Sequence, residues 1–141
     1  MNEDKQSSFL QQLADKLKEV PLFGGSIQEG YVPHVVDSED ESLPAQFIIL
    51  QPGETEEKER MHNSVIEAHT VLITLVTKDR NAAAQLRQAR LEVKRCLAGK
   101  WANLQGTQKV YFKTENPMPA QAGYVFSLHV MPLYIEYVQP I

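Results

Sequence analysis

The chain is poor in the features that announce chemistry. It has 141 residues and a single cysteine, Cys96. One thiol cannot form an intramolecular disulfide, and it excludes a cysteine-based zinc cluster. No apolar run approaches the roughly 20 residues that a membrane helix requires. The opening MNEDKQSS is polar and lacks the apolar region of a signal peptide, so a cytosolic origin is expected. Positive charge is not in excess. The net charge is −4, which argues against a general nucleic-acid binder. There is no internal repeat and no low-complexity tract. Gly24-Gly25 is followed by neither a glycine fingerprint nor Gly-Lys-Ser/Thr, and no strand precedes it, so a phosphate loop is excluded.

Catalytic spacing is missing as well. The four histidines are His34, His62, His69 and His129. None pairs with another at the one-, three- or four-residue spacing that places two ligands on one face. Ser64, His69 and Asp79 supply the residue types of a triad, but no nucleophile elbow accompanies them. The run from Asp37 to Glu41 holds four carboxylates in five residues. It lacks the spaced ligands, central glycine and terminal glutamate of a calcium loop, and reads as a solvated loop. No cofactor is expected.

What is present is a strand followed at once by a helix, between Ala68 and Gly99. Val71, Leu72, Ile73, Leu75 and Val76 are interleaved with Thr70, Thr74 and Thr77. β-Branched residues suit a pleated surface, and apolar groups fall on both faces, as in a central strand covered on both sides. Lys78 to Asn81 breaks the pattern, with Asp79 or Asn81 as candidate N-caps. From 81 to 98, Leu86, Ala89, Val93, Cys96 and Leu97 recur at helical spacing as one apolar stripe, and Gly99 is placed to end the helix in the left-handed conformation. Cys96 on that stripe reads as a buried core thiol.

Elsewhere the periodicities predict a first helix over 8–20, with Phe9, Leu10, Leu13, Leu17 and Val20 on one face. Ser8 and Gln11 have the form of a capping box, and Pro21 ends the helix. A short strand is expected at 26–28 or 31–36, and a clear one at 45–51. Pro52-Gly53 reads as a turn, and 54–63 as a charged, mobile excursion within a loop spanning 52–66. Trp101 and Leu104 are expected beneath the end of the second helix. Further strands are expected near 109–114 and 123–138. Asn116 to Pro119 reads as a rigid turn, and Pro132 as the mark of an edge or bulge. One domain over 1–141 is expected.

Charge is unevenly distributed. Between Asp37 and Arg60 there are eight acidic and two basic residues; between Lys78 and Lys100 there are seven basic and two acidic. Two solvated surfaces would account for this. The sharper reading is complementarity between copies of the chain, with Asp37, Glu39, Asp40 and Glu41 facing Arg87, Arg90, Lys94 and Arg95 of a neighbour.

The order of these pieces resembles the tail terminator (tail completion) proteins of long-tailed bacteriophages and their prophage relatives. The matching stretches are SSFLQQLADKLKEV, LPAQFIIL, AHTVLITLVTKDR, NAAAQLRQARLEVKRCLAG and AGYVFSLHVMPLYIEYV. They span nearly the whole chain as patterns of apolarity. The resemblance implies an α+β fold, a two-layer α/β sandwich of the phage tail protein-like kind. Its order is α-β-β-α-β-β, with helices packed on one face of a mainly antiparallel sheet. It further implies a ring, six-membered, that caps the tail tube, stops elongation and supports head-tail joining. The partners would be the chain itself, the tail tube protein and a head-completion or connector protein, with no membrane and no sequence-specific nucleic acid. The setting would be the bacterial host cytoplasm during assembly and then the virion tail. The family offers no catalytic residue. Two other readings compete: a small ferredoxin-like ligand-binding or regulatory domain, and a metal-dependent hydrolase built on His34, His62 or His69.

Overall fold

The computed structural model describes residues 3–30, 45–79, 81–119 and 126–141. The stretch from 31 to 44, with Asp37, Glu39, Asp40 and Glu41, lies outside them, as does the expected strand at 31–36. Over the described residues the architecture is α+β, two α-helices and a six-stranded, mostly antiparallel open sheet. Helix α1 is Lys5–Leu17 and α2 is Ala83–Cys96. The strands are β1 Ile27–Glu29, β2 Gln46–Arg60, β3 Ser64–Thr77, β4 Lys109–Phe112, β5 Asn116–Met118 and β6 Ser127–Pro140. Their order in the sheet is β1-β2-β3-β6-β4, with β5 also pairing with β6. The β1–β2 pair is parallel, and the other pairs are antiparallel.

Both helices lie on one face. Phe9, Leu13 and Leu17 of α1 and Leu86, Ala89 and Val93 of α2 meet Ile48, Leu50, Val71, Ile73, Leu75, Leu133 and Tyr137 in one core. The Phe9 ring meets Tyr137 edge-on at 5.0 Å. The start of α1 differs from the sequence reading. Asp4, not Ser8, caps it, accepting from the backbone N–H groups of Gln6 and Ser7. An aspartate there satisfies two otherwise orphaned donors and places negative charge at the positive end of the helix. Gln139 fixes the same terminus by accepting from Lys5 N and donating to Glu3 O.

The start of α2 also departs from expectation. Neither Asp79 nor Asn81 is its cap; Ala82 holds that position without a side-chain bond. Asp79 instead accepts from Asn81 N, closing the turn that feeds the helix. Gly99 does adopt positive φ, at 91°. Leu104 is buried, but Trp101 is 48% exposed and does not pack beneath the helix end. Cys96 is half-buried rather than fully enclosed.

The largest difference lies at 52–66. The charged excursion is paired strand, not a loop. β2 continues to Arg60, and β3 begins at Ser64, so the two form one long hairpin. Pro52-Gly53 is not a turn but the site of a register shift between Pro52 and Thr55. A Cβ on Gly53 would come within 2.6 Å of the Thr70 carbonyl oxygen, so only glycine lets the bulged strand lie this close to its neighbour. Its residues are charged and lack an apolar alternation, so only the pairing with β3 makes them strand.

Two prolines that argued against sheet are also accommodated. Asn116–Met118 is a short outer strand rather than a turn, so Pro117 sits on an edge. Pro132 lies in β6, which is flanked on both sides, and marks neither an edge strand nor a bulge. It falls where β4 has ended, at Phe112 opposite Leu133, and β5 has not begun, at Asn116 opposite Val130. Lys113 N still donates to the Pro132 carbonyl at 2.8 Å, so the missing N–H costs only the return bond at the end of the β4 ladder.

Candidate interaction surfaces

No catalytic constellation assembles among the described residues. Ser64 opens β3 and Asp79 lies two residues past its end, so the 14-residue strand separates them by roughly 45 Å at about 3.3 Å per residue. His62 is exposed at the hairpin tip, His69 is buried in β3, and His129 lies in β6 opposite Leu75. Among the described residues, no group of three or more His, Cys, Asp or Glu side chains could hold a metal ion. What the fold builds instead is two polar networks and several exposed surfaces.

The first network gathers on Glu115, a residue without a role in the sequence reading. Arg90 Nε and Nη2 donate to its two oxygens at 2.6 and 2.8 Å. Lys94 Nζ stands 2.8 Å from Oε2, and His129 Nε2 2.8 Å from Oε1. The Arg90 guanidinium, followed by His129 and Lys94, holds the Glu115 carboxyl well below the usual carboxylate range despite burial. Two of the four basic residues singled out for contact between copies thus direct their charge inward, tying α2 to the segment before β5. Arg87 and Arg95 remain exposed. No spacing rule joins residue 115 to residues 90, 94 and 129; only the folded chain brings them together.

The second network lies where the hairpin meets α1. Tyr137 Oη accepts from Gln6 Nε2 at 2.9 Å and donates to Glu67 Oε1 at 3.1 Å. Burial pushes the Tyr137 hydroxyl well above its ordinary value. Gln6 Nε2 also donates to Thr55 Oγ1 at 2.8 Å. His69, 1% exposed, places Nδ1 3.2 Å from the Glu54 carbonyl and 3.1 Å from Thr55 Oγ1. A carbonyl only accepts, so Nδ1 carries the proton. Nε2 is buried with no partner, and burial lowers the imidazole pKa.

The second face of the sheet carries no helix among the described residues. Phe47, Ile49 and Val76 form a small buried cluster there, with Phe126 and Leu128 packed against it. Towards β4 this face shows a tyrosine stack, Tyr111 on Tyr134, with centroids 4.7 Å apart and planes 24° apart. Lys109 and Lys113 lie over these two rings at 5.6 and 5.4 Å. Burial, then the hydrogen bond to Glu136, pushes the Tyr134 hydroxyl up to about 12. At the opposite side of the sheet, residues 52–60 of β2 are all exposed.

No protein-family model and no curated protein matches the chain. Among solved structures, it is similar to a chain from the virion of a native gene transfer agent (GTA) particle. The match covers 94% of this chain and 93% of the other, with a TM-score of 0.64 and 13% sequence identity. At that identity the likeness is one of fold. It extends over both helices and the sheet rather than over a fragment.

Proposed function

We propose that this protein is a structural component of a phage-like particle, and that it caps a tail tube as a ring of identical subunits. One observation carries the reading: nearly the whole fold is shared with a chain found in the virion of a GTA particle. The sequence resemblance to tail terminators, from SSFLQQLADKLKEV to AGYVFSLHVMPLYIEYV, points the same way. The surfaces suit assembly rather than turnover. The polar networks are consumed in holding the hairpin and α2 in place, while charged and aromatic groups are displayed outward.

Capping would work by geometry. One face of the ring would match the tube end, and the other would not repeat the tube's own surface. Tube subunits could then no longer add, and the second face would receive a head-completion or connector protein. The subunits would assemble in the host cytoplasm and remain in the virion tail. A ring needs a heterologous interface, in which two different patches of each copy meet.

Deletion of the gene in an inducible phage or prophage, followed by electron microscopy, tests this reading. Overlong or headless tails that revert on complementation are expected. Normal tails joined to heads would overturn it and favour a small ligand-binding or regulatory domain.

A further inference from the structure

Among the described residues, two backbone edges of the sheet are open, and they lie level with each other on opposite sides. β1 covers β2 only opposite residues 48–50. Beyond that, no described strand lies outside β2, and, among the described residues, 53–60 make backbone bonds only toward β3. On the other side, β4 ends the strand order. The registers show that the two edges share rows. Glu56 pairs with Ala68, Ala68 with Glu136, and Glu136 with Lys109. The next row runs Thr55, His69, Ile135, Val110, and a further one Pro52, Val71, Leu133, Phe112. A second copy displaced sideways by four strands would therefore bring its β4 level with this β2, with no slip along the strands.

Direction fits as well. β2, β3, β6 and β4 alternate in sense, since every pair among them is antiparallel. β4 of one copy beside β2 of the next continues that alternation, and the helices of both copies stay on the same side. The charges are complementary. Residues 53–60 carry Glu54, Glu56, Glu57 and Glu59. Their two bases are already paired within the strand, Lys58 with Glu56 and Arg60 with Glu57. Among the described residues, the Lys109 and Lys113 ammonium groups meet aromatic rings and no carboxylate.

We infer that β4 of one copy adds to the outer edge of β2 in the next copy, level with Pro52 to Glu56, so that the ring interface is a shared antiparallel sheet. This rests on the ring reading above and names the surface that would build it. Charged, bulged edges commonly serve to prevent pairing. Here the sign of the charge makes the protection selective. An acidic edge repels a second acidic edge, which disfavours a closed two-fold dimer, and accepts a basic one. Head-to-tail addition of this kind leaves one edge open at each end until the ring closes.

The test uses the full chain. Glu56→Lys/Glu59→Lys makes both edges basic, and Lys109→Glu/Lys113→Glu makes both acidic. Light scattering should show each alone associating at least about tenfold more weakly than the parent, and a 1:1 mixture recovering. A chain carrying both Glu56→Cys and Lys109→Cys should give a ladder of disulfide-linked oligomers on oxidation, beyond any the parent forms through Cys96. Circular dichroism melts check folding; if the lysine reversal does not fold, the cysteine ladder decides alone. Parent-like association of the folded reversals, or no ladder, overturns the inference, as does a parent that stays monomeric without a ladder. Tail length in the deletion experiment judges capping separately. A ladder with normal tails would keep the shared sheet and remove capping; overlong tails without a ladder would do the reverse.

Discussion

Arg90 grips Glu115 at two points, Nε to Oε1 at 2.6 Å and Nη2 to Oε2 at 2.8 Å, from a position 25 residues earlier in the chain. The pair is only part-exposed, 28% for the arginine and 16% for the glutamate, and Lys94 and His129 close on the same carboxylate. It links α2 to the approach to β5 and to β6.

Glu115→Gln should therefore destabilise the protein by about 1–3 kcal/mol at neutral pH, since it leaves two cations around a neutral amide. The folded-state pKa lies below the ordinary 4.5. The stabilisation is thus fully present above that value and is lost as pH falls below it towards the folded pKa. Urea unfolding of parent and variant should differ at pH 7 and converge below pH 4. A constant difference across that window would show that the charge is not the cause.

His69 acts in the same direction through burial rather than ion pairing. Burial depresses its pKa below 6.5, so the unfolded chain takes up a proton before the folded one does. Stability should fall as pH drops from about 6.5 toward 5, although Glu67 and Asp4 oppose part of the shift. His69→Gln removes the titrating group. Its melting temperature should be nearly flat across that window, where the parent's declines. Parallel pH profiles would contradict the account.

Gly53→Ala should cost about 1–3 kcal/mol, because the new methyl would press on the Thr70 carbonyl of a central strand rather than on a flexible side chain. Denaturant titration measures it. Hydrogen exchange should show the loss spreading along residues 54–60, and an unchanged stability would mean that the bulge relaxes freely.

Association between copies should weaken with salt without vanishing. Exposed charges are screened over roughly 8 Å at physiological ionic strength, whereas backbone hydrogen bonds between strands are not removed by salt. Light scattering across a salt series should show a graded loss. Salt-independent association would assign the interface to apolar contacts such as the Tyr111–Tyr134 face.

Periodicity alone placed both helices and the strand rich in β-branched residues, because an apolar stripe repeating every three to four residues, or an apolar run with threonines, can bury itself in few ways. Phe9, Leu13, Val71, Ile73, Leu86 and Val93 are in the core where that pattern puts them. The charged run 54–60 was illegible, since its strand state comes from pairing with β3 and not from its own residues. Pro132 was misleading for the same reason: whether a missing N–H matters depends on what stands beside it. The Glu115 cluster could not be read at all, because residues 90, 94, 115 and 129 meet only when α2 and β6 are packed together. Local sequence determined which segments bury a face; the tertiary structure decided which charges are spent inside the subunit and which strands flank one another, because both depend on neighbours distant in the chain.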